Sequence, residues 1–123
     1  MPLPALPNAE LAVMELLWTK GRVTARQIID RLYADATKPQ HGTVQRLLQR
    51  LAAKGFVARD RSLGISVFTP AISRDAYASA QLESLANRLT RGSLAPMITR
   101  LVADNKLSDA EIERLRRILE EEA

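Results

Sequence analysis

The sequence predicts a mainly α-helical chain interrupted by one short β-hairpin. Three observations predict it. Apolar residues recur at helical spacing through most of the 123 residues. One segment, residues 56–70, partly alternates instead, around a Ser-Leu-Gly turn. Two hydroxyl-x-x-Glu/Gln capping boxes and several glycines punctuate the remainder.

Residues 1–8 hold three prolines and no periodicity, and read as an arm. Over residues 9–19, Leu11, Met14, Leu17 and Trp18 form a helical stripe, with Met14 and Trp18 as core residues. Asn8 is placed to cap this helix, Glu10 suits the positive end of its dipole, and Gly21 stops it. Thr24 and Gln27 make the first capping box. A second helix follows to about Asp35, with Ile28, Ile29 and Leu32 inward. Ala36 to Gly42, with Pro39 and Gly42, is a break.

A third helix is expected from Thr43 to about Lys54, ended by Gly55. Val44, Leu47, Leu48 and Leu51 are its buried face. Thr43, Gln45, Arg46, Gln49 and Arg50 are left on an outer face without an acid. The strands Phe56 to Arg61 and Ile65 to Pro70 make a two-stranded hairpin, which must pack on the helices to be stable. Ser73 then caps a helix to about Arg91, closed by Gly92. Ser93 caps a fifth, with Pro96 tolerated in its first turn. Ser108 and Glu111 open a last helix carrying Ile112, Leu115, Ile118 and Leu119.

Composition narrows the chemistry. With no Cys and one His, disulfides, thiolate metal sites and Cys nucleophiles are ruled out. Asp104, Asp109 and the terminal glutamates lack the spacing of an oxygen-ligand loop, so no metal or other cofactor is implied. No nucleophile–base pair or phosphate loop appears, which argues against an enzyme. No apolar run approaches the ~20 residues of a membrane span. The N-terminus lacks the features of a signal peptide, so a cytoplasmic protein is expected.

Charge is uneven. Residues 1–72 hold ten Lys or Arg against five Asp or Glu, whereas residues 73–123 hold eight against nine. Arg46, Arg50, Lys54, Arg59 and Arg61 are opposed only by Asp60 over their own stretch. Such asymmetry fits a polyanion-binding half joined to something else, although a solvated helix face also accounts for the cluster.

Helix, helix, helix, hairpin, with a polar basic outer face on the third helix, is the order of a winged helix-turn-helix. Its reading helix needs an apolar face to dock and a face of donors and acceptors to meet base edges. Arg pairs with guanine, Gln with adenine, and a Thr methyl meets thymine. Thr43, Gln45, Arg46, Gln49 and Arg50 are therefore candidate DNA contacts. Thr24 and Arg26 on the second helix and Arg59 and Arg61 on the wing join them, the wing pair as phosphate contacts. His41 is a turn residue or a phosphate donor. Aromatics are too scattered for a single-strand stacking platform.

Several segments resemble the penicillinase-repressor family (BlaI/MecI/CopY type). These are Leu6 to Trp18, Thr24 to Ile28, Gly42 to Val57, Phe68 to Tyr77, Gly92 to Leu94 and Leu107 to Leu119. They follow in order over nearly the whole chain. The resemblance implies a bacterial repressor that binds an inverted-repeat operator in double-stranded DNA as a homodimer. It implies groove-facing roles for Thr43, Gln45, Arg46 and Gln49, and a backbone contact for Arg50. It also implies inactivation by an upstream signal; one branch is switched by a protease that cuts inside the dimerisation helices, and the matching bond lies near Arg100-Leu101, where the residue types differ from that branch, so control of that kind is not implied. Pro7 stands where the family often has a Thr or Ser cap, and His41 lies near a position often aromatic. The Cys pairs of the copper-responsive branch are absent, which excludes copper sensing by that route.

The expected organisation is a DNA-binding domain over residues 1–72 and a helical dimerisation domain over 73–123. A segment of ~50 residues rarely stabilises itself alone. Tyr77, Leu85, Leu89, Leu94, Met97, Ile98, Leu101, Val102, Ile112, Leu115 and Leu119 are the apolar positions two copies could bury together. Folding back on the first domain is the other way to cover them. The competing function is a winged helix that binds a protein rather than DNA, which would expose large apolar residues on the third helix.

Overall fold

In the computed structural model, which describes residues 3–35 and 40–122, the first helix α1 runs Asn8–Lys20. Asn8 lies inside it and does not cap it; Pro7 takes the cap position without a side-chain hydrogen bond. The helix start is set by the arm instead. Leu6 is buried in the core and its N–H donates to the Tyr77 hydroxyl at 2.8 Å. Met14 and Leu17 are buried as the stripe requires, and so is Val13. Gly21 ends the helix at φ +82°, a left-handed conformation that costs a glycine little, with its N–H on Leu17 O.

Strand β1, Val23–Thr24, was not expected from the sequence. It pairs antiparallel with the second hairpin strand, Val23 opposite Phe68 and Thr24 opposite Val67. Two residues are too few to show alternation, so the pattern could not reveal it. Helix α2 runs Ala25–Leu32 behind a complete Thr24–Gln27 capping box. It ends short of Asp35, where Tyr33 turns out of helical geometry and rests partly buried against the core.

Of the break expected over Ala36 to Gly42, residues 36–39, including Pro39, lie outside the described residues. Helix α3 runs His41–Ala53, so His41 and Gly42 belong to its first turn and not to a turn before it. Val44, Leu47, Leu48 and Leu51 are all buried. The helix closes at Gly55, φ +81°, with Phe56 N–H reaching back to Leu51 O at 2.9 Å. The hairpin follows as β2 (Val57–Asp60) and β3 (Val67–Pro70), giving a three-stranded sheet in the order β1-β3-β2.

Helix α4 runs Arg74–Leu89, with Ser73 Oγ accepting from Ala76 N–H. Arg91 and Gly92 both have positive φ and turn the chain; Ser93 is left outside α5 (Ala95–Ala103) and does not cap it. Helix α6, Asp109–Glu122, begins with both bonds of the Ser108–Glu111 box.

The chain divides into two compact units, residues 1–79 and 80–123, with the boundary inside α4. The first holds a continuous core of Val13, Met14, Leu17, Ile28, Val44, Leu48, Leu51 and Phe56, among others. In the second, α5 and α6 bury none of their residues.

Candidate nucleic-acid interface

The site begins with the periodicity of α3. Four inward side chains fix the helix on its own domain, and at 3.6 residues per turn the positions between them must face out. Gln45, Arg46, Gln49 and Arg50 are exposed, and Thr43 is half-buried at the start of this face. The Arg46 guanidinium leans back toward the Thr43 hydroxyl, at 3.5 Å. No Asp or Glu occurs in α3. The exposed face offers amide and guanidinium donors and two amide acceptors, the set that can meet the edges of purine bases.

The hairpin continues directly from α3. Arg61 is exposed just beyond β2. Arg59 is exposed but held: its Nε donates to Ser66 Oγ at 2.8 Å, and its guanidinium lies over the Phe68 ring, 5.8 Å from the centroid. At the N-cap of α2, Thr24 spends its hydroxyl accepting from Gln27 N–H, and on α2 Arg26 pairs with Asp30 at 3.3 Å. His41 is exposed in the first turn of α3. Thus the α3 face and the hairpin arginines are presented by adjoining elements, while Thr24, capping α2, and Arg26, on it, have partners of their own.

Lys54 behaves differently from the rest of the basic run. Its ammonium is 2.5 Å from Glu10 Oε1, and Glu10 is only 2 % exposed. The expected dipole role of Glu10 was therefore incomplete. Glu10 falls at i, i+3, i+4 and i+7 with Val13, Met14 and Leu17, an inward spacing that the expected stripe of Leu11, Met14, Leu17 and Trp18 left out. A buried carboxylate needs a partner, and Lys54 at the end of α3 supplies it. The pair ties the C-terminal end of α3 to the first turn of α1.

Tyr77 also belongs elsewhere than expected. It packs against Trp18 and edge-on against Phe56, at 5.9 and 5.6 Å between centroids, and its hydroxyl accepts from Leu6. Trp18 in turn donates its indole N–H to Ile72 O at 2.8 Å. Tyr77 is a brace of the first unit, not part of an open apolar face. The other positions expected to dimerise lie in the second unit. Leu89, Leu94, Ile98, Leu101, Val102, Leu115 and Leu119 are exposed, as are Leu82 and Ile118; Leu85, Met97 and Ile112 are half-buried. Among the described residues no helix is long and apolar enough to cross a membrane.

Comparison with known proteins gives a consistent picture. Residues 6–121 match the family described as penicillinase repressor. The penicillinase repressor of Bacillus licheniformis is 32% identical over 120 residues, which are 97% of this chain and 92% of that protein. The solution structure of the DNA-binding domain of the repressor BlaI superposes with a TM-score of 0.52 at 29% identity, covering 61% of this chain and 90% of that one. The monomeric form of B. licheniformis BlaI in complex with the blaP half-operator superposes with a TM-score of 0.51 at the same identity and coverage.

Proposed function

The chain belongs to the penicillinase repressor family, and on that premise we propose how it works. It is a DNA-binding transcriptional repressor with a winged-helix reading domain, and it acts by binding, not by catalysis. Two copies bind an inverted repeat, each laying α3 in the major groove. Arg46, Gln45, Gln49 and Thr43 meet bases, and Arg50, Arg61 and Arg59 meet phosphates. A repressor must reach the chromosome, which places it in the bacterial cytoplasm.

The observation that carries this reading is the acid-free outer face of α3, set opposite four fully docked apolar residues. A protein-binding helix would expose large apolar side chains there, and α3 exposes none. Homodimerisation is supported by the second unit. Its helices carry apolar stripes yet α5 and α6 bury nothing within one chain, and a two-fold operator calls for a two-fold protein. Residues 1–72 serve reading and residues 73–123 serve pairing, although the start of α4, through Tyr77, also braces the first unit. An inactivating protease fits the exposed Arg100-Leu101 bond, but that bond lies within α5, so cleavage requires the helix to open first.

The test compares Arg46→Ala with the wild-type chain on a duplex enriched from a random pool and on unrelated DNA, by fluorescence anisotropy across a salt series. The variant should lose ~1–3 kcal/mol on the enriched duplex and little on unrelated DNA. Wild-type affinity should fall steeply with salt as phosphate contacts release counterions. Equal loss on both duplexes refutes base reading by Arg46, and salt-insensitive binding refutes the interface.

A further inference from the structure

Among the described residues of the first unit, two large apolar side chains are left in solvent: Leu63, 73 % exposed, and Ile65, 60 % exposed. Both sit at the tip of the β2–β3 hairpin, on either side of Gly64. The tip is built, not loose. Asp60 Oδ1 accepts from Ser62 N–H at 2.8 Å, and Gly64 N–H donates to Arg61 O at 3.1 Å. Gly64 holds φ +85°. Below the tip, the bond from Arg59 to Ser66 joins the two arms. A fixed turn thus holds two aliphatic groups away from a core that had no use for them.

Their surroundings indicate the partner. Arg59 and Arg61 stand on the arm leading to the tip, and that arm begins where α3 ends. With a helix in the major groove, the next feature of a duplex beyond the groove edge is the phosphate ridge, and beyond the ridge is the minor groove. Guanidiniums on the ridge put the end of the hairpin over the minor groove. Aliphatic side chains are used there as wedges against sugars and base steps. The minor-groove floor of a G·C pair carries the guanine N2 amine, whereas an A·T pair shows acceptors alone. An aliphatic group gives that amine no acceptor, so covering it leaves a donor unpaired.

We propose that Leu63 and Ile65 form a minor-groove contact that makes the protein prefer A·T over G·C pairs beside the segment read by α3. The proposal rests on the duplex-reading role of α3, and its test separates the two.

The experiment uses the full chain and a duplex enriched from a random pool by the wild-type protein. The flanking pairs are rebuilt as A·T, G·C or inosine·C. Inosine lacks the N2 amine but keeps the major-groove face of guanine. Wild type should bind the A·T and inosine·C duplexes alike and the G·C duplex about tenfold more weakly, the scale of one unfavourable pair. The Leu63→Ser/Ile65→Ser double variant should bind all three alike, near the wild-type level on G·C, with an unchanged salt slope because no phosphate contact is lost. Its thermal melt by circular dichroism should match wild type, since both side chains are already exposed. A wild type indifferent to the flanks, or a double variant that keeps the preference, overturns the proposal while leaving α3 reading intact. Failure of the wild type to enrich any duplex overturns the α3 reading, and this proposal with it. A double variant with unchanged affinity on every duplex likewise overturns the proposal.

Discussion

Replacing Lys54 by Met removes the ammonium that faces Glu10 while keeping most of the aliphatic stem. Glu10 is 2 % exposed, so its carboxyl group is left in the interior without a partner. Breaking a buried pair by deleting one member costs ~3–5 kcal/mol, but the Lys54 side chain is 30 % exposed and water already screens part of the attraction. The expected loss is therefore about 2–3 kcal/mol, or about 10–20 °C in Tm for a unit of this size. Urea melts followed by Trp18 fluorescence read it directly. Trp18 is the only tryptophan of the chain and is bonded to Ile72 and packed on Tyr77 within the same unit. The second variant is Glu10→Met combined with Lys54→Met. It removes the unpaired carboxyl group and should recover the melt to within about 1 kcal/mol of wild type. A loss below about 1 kcal/mol in the single variant, or no recovery in the double one, refutes the argument that burial of the Glu10 carboxyl group sets the effect.

Three further outcomes follow from the same core and its edges. Tyr77→Phe strips the acceptor from Leu6 N–H while leaving the ring contacts, and should cost about 1–2 kcal/mol in the urea melt with no change in oligomeric mass by light scattering. Gly42→Ala should raise stability by about 0.5 kcal/mol, because Gly42 is helical and the added Cβ meets only Arg46 Nη1, at an ordinary 3.5 Å. The Ser62 backbone N–H, with the Ser62 side chain, holds the Asp60 carboxyl below its ordinary value. A lowered folded value means the contact stabilises fully above the unfolded value and is lost as pH falls through the lowered one. The Ser62 amide shift in NMR should therefore stay constant from about pH 8 to about pH 5 and move only in more acid solution, and Asp60→Asn should flatten that profile.

The parts of the fold legible in the sequence are those governed by repeated local rules. The α3 stripe of Val44, Leu47, Leu48 and Leu51 gave four buried residues because four matched positions outvote any single misplacement. Both capping boxes formed because their donors and acceptors lie three residues apart and need nothing distant. What escaped depends on partners far along the chain. Asn8 has the chemistry of a cap, yet Leu6, bonded to a residue 71 positions away, fixes where α1 starts. Strand β1 exists only because β3 lies beside it. Tyr77 fits an apolar stripe of α4, but its hydroxyl and ring are taken up in the first unit. Glu10 escaped because the expected stripe ran through Leu11, Met14, Leu17 and Trp18, whereas its own spacing with Val13, Met14 and Leu17 points inward and its charge argued for solvent.

The separation of labour on α3 explains why such a helix can acquire a new target. The inward residues and the Gly55 closure carry the helix energetically, and the Glu10–Lys54 pair anchors its far end. None of these groups belongs to the proposed DNA-reading set. Gln45, Arg46, Gln49 and Arg50 are exposed, and the Arg46 guanidinium leans on Thr43, three residues before it on the same helix. Surface substitutions away from caps and cores usually stay within about 0.5 kcal/mol. Outward replacements on α3 should therefore change which duplex is bound while leaving the urea midpoint where it is. Replacements at Glu10 or Lys54 should lower the midpoint first and weaken all duplexes together, by reducing the folded fraction. A set of variants at both places, each measured for melt and for affinity on two duplexes, would show two uncorrelated groups. If instead Arg46 and Gln49 variants lost stability in proportion to binding, the outer face would be part of the fold, and its freedom to meet DNA would be gone.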